Sequence, residues 1–247
     1  MRVFKKQFSA RKILLCVSVL FNLLLMGAVV VSERQGHVFT MALERRDIMH
    51  LDDKSHPDYW ARMGWTNTIE KLHIDFDVAF FGNSITRGSD FQQYFPDKKI
   101  INIGYSGDNM TGMLRRVPML KAANPSKVFI MAGTNDLIHI NLDEYKVRYS
   151  KLLQTIKDSL PNTKIYIESV LPSNNDMGRY APNKKVQQAN KIAEELARSF
   201  NGQFINLYDL YANDNNELPV EWTIDGVHLY PEHYDKWAEK ITPFIYE

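Results

Sequence analysis

Val-Ala-Phe-Phe-Gly-Asn-Ser-Ile-Thr, residues 78–86, changes character at its middle. Four apolar residues stop at Gly82, and three of the next four side chains are short and polar: Asn83, Ser84 and Thr86. An apolar run without polar alternation suits a strand covered on both faces, the usual condition of a parallel sheet. The same transition recurs along the chain. Ile100–Ile103 stops at Gly104 and Val128–Ala132 stops at Gly133, while Ile165–Val170 and Phe204–Leu207 are two more runs of strand length.

Helical patterns separate these runs. Leu142, Tyr145, Tyr149, Leu152, Leu153, Ile156 and Leu160 fall at helical spacing, as do Val186, Ala189, Ala193, Leu196, Ala197 and Phe200. Pro57 is placed to open a helix carrying Tyr59, Trp60, Trp65 and Ile69, and Pro231 to open one with Trp237, Ile241 and Ile245 inward. Such alternation predicts one α/β sandwich domain over residues 57–247, built on a five-stranded parallel sheet.

The N-terminal region has a different composition. Residues 1–12 carry Arg2, Lys5, Lys6, Arg11 and Lys12 and no acid; Ile13 to Val31 then runs 19 residues without a charge. As a helix that run spans roughly 28 Å, close to the hydrocarbon thickness of a bilayer. The flanking cations are expected to stay on the cytoplasmic side. An uncleaved single-pass anchor over 13–31 is therefore predicted, followed by a polar stalk at 32–56 and an extracytoplasmic domain, periplasmic or at the cell surface in a bacterium. Removing the +5 of residues 1–12 from the overall +1 leaves −4 for the rest, which argues against a nucleic-acid partner. Cys16, the single cysteine, lies in the anchor, so the exported part has no disulfide and no thiol nucleophile.

Open α/β sheets bind ligands beyond the carboxyl ends of their strands. Four polar segments are expected there: Gly82-Asn83-Ser84, Gly104-Tyr105-Ser106-Gly107-Asp108, Gly133-Thr134-Asn135-Asp136 and Asp225-Gly226-Val227-His228. Together they hold what acyl transfer from an ester needs. A serine hydroxyl is a weak nucleophile until a base takes its proton. Histidine titrates near neutrality, and a carboxylate on its other nitrogen sets the useful tautomer. Ser84, His228 and Asp225 fit these roles, and the amides of Ser84 and Gly107 with the Asn135 side chain fit an oxyanion site. Each residue also has an ordinary use. Ser84 would suit a helix cap, Gly107 a positive φ, and Asn135 and Asp136 a turn. His139 is a rival base on spacing alone, and His233 is expected in the first turn of the last helix, facing solvent.

These four blocks resemble those of the SGNH, or GDSL-like, hydrolases, and the likeness extends from Gly82 to about Ile245. Phe80–Thr86 is similar to the nucleophile block, Asn102–Asp108 to the block with the oxyanion glycine (Gly107), Gly133–Asp136 to the block with the oxyanion asparagine (Asn135), and Asp225–Leu229 to the block with the Asp and His. Asn83 stands where the family name records an Asp, at a position that transfers no proton. The resemblance implies a flavodoxin-like three-layer fold and ester hydrolysis by Ser84, His228 and Asp225 without metal or cofactor. It also implies an open, shallow site suited to short acyl groups such as acetyl on a carbohydrate or small alcohol. The same residues would serve an O-acyltransferase acting on envelope glycan, and an inactive relative would be a glycan-binding module. Arg87, Tyr94, Tyr105 and Arg179 are candidates for sugar recognition, whereas Arg115 and Arg116 are expected in structural ion pairs.

Overall fold

Five strands form at the apolar runs: β1 (Val78–Gly82), β2 (Ile100–Gly104), β3 (Lys127–Met131), β4 (Lys164–Glu168) and β5 (Gln203–Ile205). All neighbours pair parallel, in the order β2-β1-β3-β4-β5. This is the flavodoxin-like order, and its direction reverses between β1 and β3. The structure, a computed structural model, describes residues 67–71 and 74–247. The chain divides into two units, Met1–His50 and Leu51–Glu247, and every described residue belongs to the second. The basic segment 1–12, the predicted anchor at 13–31, the predicted stalk at 32–56 and the first part of the helix predicted from Pro57 lie outside the described residues. Among the described residues no helix is long and apolar enough to cross a membrane.

Helices α1 (Ser84–Arg87) and α2 (Phe91–Tyr94) follow β1, and α3 (Met110–Arg115) and α4 (Val117–Ala123) follow β2. Helix α5 (Leu142–Ser159) links β3 to β4, and α6 (Asn183–Ser199) links β4 to β5. Helices α7 (Tyr208–Tyr211) and α8 (Asp235–Tyr246) complete the domain. Strand side chains alternate between two cores, because successive residues of a strand point to opposite faces. Ala79, Phe81, Val128 and Ile130 pack under α3 to α6, whereas Val78, Phe80, Phe129 and Met131 pack under α2, α7 and α8. Both faces are thus covered, which explains the unbroken apolar runs.

Register sets one feature of the second core. Phe80 pairs with Phe129 and Phe129 with Tyr166 across β1, β3 and β4. Their rings stack at 5.1 and 4.6 Å between centroids, and Phe91 of α2 closes the stack on Phe80 at 3.7 Å. Such pairs contribute about 0.5–1.5 kcal/mol each beyond area burial.

The last two strands end earlier than their apolar runs. The runs reach Val170 and Leu207, but the ladder stops at Glu168 and Ile205. Beyond it, side chains take over the backbone groups. Ser169 Oγ accepts the Leu207 and Tyr208 amides, each at 2.8 Å, and the Asn190 amide bonds both the N–H and the carbonyl of Val170, each at 2.9 Å. Apolar periodicity reports burial, and burial continues here after sheet pairing has ended. At the C-terminus, Pro231 opens a 3-10 turn, Pro231–Tyr234, and α8 starts only at Asp235. His233 lies in that turn half-buried and stacks on Trp222 at 5.2 Å, so it does not face open solvent as expected.

Candidate active site

The β1/β3 reversal leaves a crevice beyond the strand ends, and the segment after β1 turns there into α1. Asn83 caps that helix: its backbone is extended (φ −99°, ψ −155°) and its Oδ1 accepts the Ile85 amide at 2.9 Å. A cap of this type contributes about 1 kcal/mol. The cap is therefore Asn83 and not Ser84, and the Ser84 hydroxyl is left for other contacts. The cap is compatible with Asn at this buried position, since an amide oxygen accepts the Ile85 N–H as a carboxylate would. Helix α1 lies hard against the end of β2. A Cβ on Gly104 would stand 2.4 Å from the Arg87 backbone nitrogen, so the approach requires glycine.

His228 reaches the same point from the far end of the chain. Its Nε2 lies 2.8 Å from Ser84 Oγ, and its Nδ1 lies 2.6 Å from Asp225 Oδ2. The ring that meets Ser84 is His228 and not His139. Burial opposes ionisation of Asp225, but the His228 amide, the His228 ring and the Val227 amide outweigh it and hold the carboxyl below its ordinary range. An ionised carboxylate only accepts, so Nδ1 carries the ring proton and Nε2 is the acceptor facing the serine. The pair is open to solvent: the His228 and Asp225 side chains are 39% and 45% exposed.

The loop bearing this pair has no helix or strand of its own. A single antiparallel bridge, Thr223 to Leu229, closes it. Thr223 Oγ1 donates to the His228 carbonyl (2.8 Å) and accepts the Gly226 amide (2.9 Å). The Tyr180 hydroxyl donates to the Asp225 carbonyl at 2.7 Å, and the backbone N–H of Asn174 to the Gly226 carbonyl at 2.8 Å. Sequence reasoning did not identify these three residues. Thr223 carried a weak signal, a hydroxyl two positions before the Asp, but Tyr180 and Asn174 are too distant in the chain to be paired with it.

The two candidate oxyanion segments are tied to each other. Gly107 has φ +71°, and a Cβ there would meet nothing within 4 Å, so backbone conformation and not space calls for glycine. The Asn135 side-chain N–H donates to the Asp108 carbonyl at 2.7 Å. A carboxamide has two such hydrogens, so one bond fixes the group and the other hydrogen remains for a ligand. Asp136 is buried and receives the Met110 amide on both oxygens at 3.2 Å, and burial pushes its carboxyl up to about 7. Arg116 is buried beneath this loop. It pairs with Asp108 and donates to the Ile103 (2.8 Å) and Gly82 (3.2 Å) carbonyls.

The candidates for sugar recognition have diverse placements. Arg87 donates to Ser106 at 3.1 Å, Tyr94 donates to Asp235 at 2.8 Å, and the Tyr105 ring lies 4.5 Å from the Arg116 guanidinium. Arg179 is exposed. Among the described residues no group of three or more His, Cys, Asp or Glu is placed to hold a metal ion.

A sequence model of the GDSL-like Lipase/Acylhydrolase family matches residues 80–236, more than half of the chain and all four strand-end blocks. The chain belongs to this family of ester-cleaving enzymes. It is 23% identical over 132 residues to a multidomain esterase of Ruminococcus flavefaciens; the match covers 51% of this chain but only 17% of that protein. A solved structure assigned as a platelet activating factor from Streptococcus pneumonia superposes with TM-score 0.71 at 22% identity, covering 85% of this chain and 100% of that one. A variant of an acetyl-xylooligosaccharide esterase from Geobacillus Stearmophilus gives TM-score 0.55 at 20% identity, covering 70% and 94%. At these identities the two structures speak for the fold: the family's architecture is the five-stranded parallel sheet seen here.

Proposed function

We propose that the protein hydrolyses a carboxylic ester through an acyl-enzyme on Ser84. The observation that carries this is the unbroken relay from Asp225 Oδ2 to His228 Nδ1 (2.6 Å) and from His228 Nε2 to Ser84 Oγ (2.8 Å). Ser84 Oγ attacks the acyl carbon as its proton passes to His228 Nε2, and Asp225 stabilises the resulting imidazolium. The carbonyl oxygen, now an oxyanion, is held by the Ser84 and Gly107 amides and the Asn135 side chain. The C–O bond to the alcohol breaks as Nε2 returns the proton to the leaving oxygen. Water then attacks the acyl-enzyme, gives a proton to Nε2, and the acid leaves as Ser84 regains its hydrogen.

The substrate in this proposal is a short acyl ester, most simply acetyl, on a carbohydrate or small alcohol. Two things support it: the half-exposed His228 and Asp225 side chains suit a bulky alcohol outside the site, and an acetyl-xylooligosaccharide esterase shares the fold. The basic residues 1–12 and the uncharged run 13–31 further support a membrane-tethered enzyme with its domain outside the cytoplasm. The test is covalent labelling of the full-length chain with a fluorophosphonate, followed by an acyl-length series of p-nitrophenyl esters. Label is expected on Ser84, with acetyl turned over faster than decanoyl. An unlabelled Ser84 would refute the nucleophile, and faster decanoyl turnover would refute the short-acyl specificity.

A further inference from the structure

The Asp225–His228 loop contains two of the three members of the relay, and neither is held by regular secondary structure. We infer that Thr223 is the positioning residue that sets the reach of the His228 imidazole to Ser84. This rests on the proposed roles of Ser84 and His228. Thr223 is buried, with 1% of its surface exposed, and its hydroxyl faces inward under the loop. One oxygen there performs two functions: its hydrogen goes to the His228 carbonyl (2.8 Å), and its lone pair takes the Gly226 N–H (2.9 Å). The two bonds grip the loop on either side of Val227. With the peptide after His228 fixed from beneath and the Ile224 amide on the same carbonyl (2.9 Å), the His228 Cα–Cβ bond has a set direction.

The other anchors hold a different part of the loop. Tyr180 and Asn174 grip the carbonyls of Asp225 and Gly226, ahead of the histidine. Asp225 Oδ1 receives the Val227 and His228 amides at 3.1 and 2.9 Å, which turns its other oxygen toward the ring. Thr223 therefore acts through the backbone on the orientation of His228, since its hydroxyl bonds the His228 carbonyl and the Gly226 amide. A valine in its place keeps the shape but removes both bonds and leaves the Gly226 amide unpaired. A serine keeps both bonds and loses only the methyl group.

The test compares Thr223→Val and Thr223→Ser with the parent full-length chain. It measures kcat and KM on p-nitrophenyl acetate, thermal unfolding, and the protonation of the His228 ring nitrogens by NMR on 15N-histidine-labelled protein. His228→Ala assigns the signal among the seven histidines. Thr223→Val is expected to lower kcat about a hundredfold, the scale of an ångström-sized misplacement of a catalytic group. KM should stay within threefold, and the ring proton should no longer be confined to Nδ1. Thr223→Ser is expected to keep kcat within threefold and the parent ring signal. The inference is overturned if Thr223→Val folds and keeps both kcat and the Nδ1–H tautomer. A tenfold or greater loss of kcat in Thr223→Ser also overturns it, whether or not Thr223→Val folds, because then the methyl packing matters and not the hydroxyl. The ring signal separates this outcome from a failure of the proposed function: a parent inert at Ser84 whose tautomer still follows Thr223 would refute the hydrolysis and keep the positioning.

Discussion

Ser84 and His228 meet at 2.8 Å, yet the protein brings each there by a different means. Ser84 opens a helix capped by Asn83, seated on the ends of β1 and β2, with buried Arg116 bonded to the Gly82 and Ile103 carbonyls beneath it. His228 lies on a loop with one isolated bridge, positioned by hydrogen bonds from Thr223, Tyr180 and Asn174. The side of the proposed nucleophile is rigid because main-chain ladders and a buried ion pair constrain it. The side of the proposed base is placed by the Thr223 and Tyr180 hydroxyls, each open to single substitution, and by the Asn174 backbone N–H. The two sides should therefore fail differently: damage beneath Ser84 should appear as lost stability, and damage beneath His228 as lost turnover in a folded protein.

The strongest test of the meeting point is deletion of either partner. Ser84→Ala and His228→Ala should each lower kcat on the order of a millionfold, and the double variant should be no worse, because groups acting as a unit are not additive. Effects that multiply instead would mean the two sides work independently. Next in size, Arg116→Met should reduce unfolding stability by about 3–5 kcal/mol, since it removes the cation that pairs with the buried Asp108 carboxylate. A denaturant midpoint unchanged by this substitution would end the claim that the nucleophile side is the rigid one. Asn135→Ala should slow kcat by about 10²–10³-fold. Its KM and melting temperature should change little if the free N–H serves the transition state; a loss confined to KM would reassign the side chain to substrate binding.

A further effect concerns pH. Burial pushes Glu168, which accepts the Trp237 N–H at 2.6 Å, up to about 8, and Asp136 up to about 7. Both folded-state values are above the unfolded ones, so the folded protein holds more protons between about pH 4 and 8. Stability is therefore full at the acid end and declines as pH rises through the folded values, by up to about 1.4 kcal/mol per pH unit for one group. Asp225, held below its ordinary range, is ionised in both states above about pH 5.5 and adds little slope there. The parent should melt at a higher temperature at pH 5.5 than at 8.5, and Glu168→Gln should reduce that difference by removing one of the two groups. A melting temperature that rises with pH in the parent would contradict the protonated state of Glu168.

The sequence shows the nucleophile side more clearly than the base side, for a physical reason. Ser84, Gly107 and Asn135 each follow an apolar run directly, and burial of a strand on two faces marks the sequence within a few residues. Strand ends were less clear where Ser169 and Asn190 replaced ladder bonds without a change in burial. The Asp-x-x-His pair was visible as residue types, but its supports were not. Thr223 looks like any threonine in a turn, and nothing in Tyr180 announces a bond 45 residues away. His233 was misplaced because its stacking partner Trp222 ends a short 3-10 turn, Val220–Trp222, whose position no local pattern predicts.

Apolar runs, their spacing and the polar residues at their ends were enough to specify a parallel α/β sheet and the side chains that collect at its rim, because those features follow from local backbone geometry and from which faces are buried. The anchoring of the Asp225–His228 loop by Tyr180 and the approach of His228 to Ser84 depended on distances between groups far apart in the chain. Only the folded chain sets such distances, since a contact across 144 residues leaves no periodic trace in the order of the amino acids.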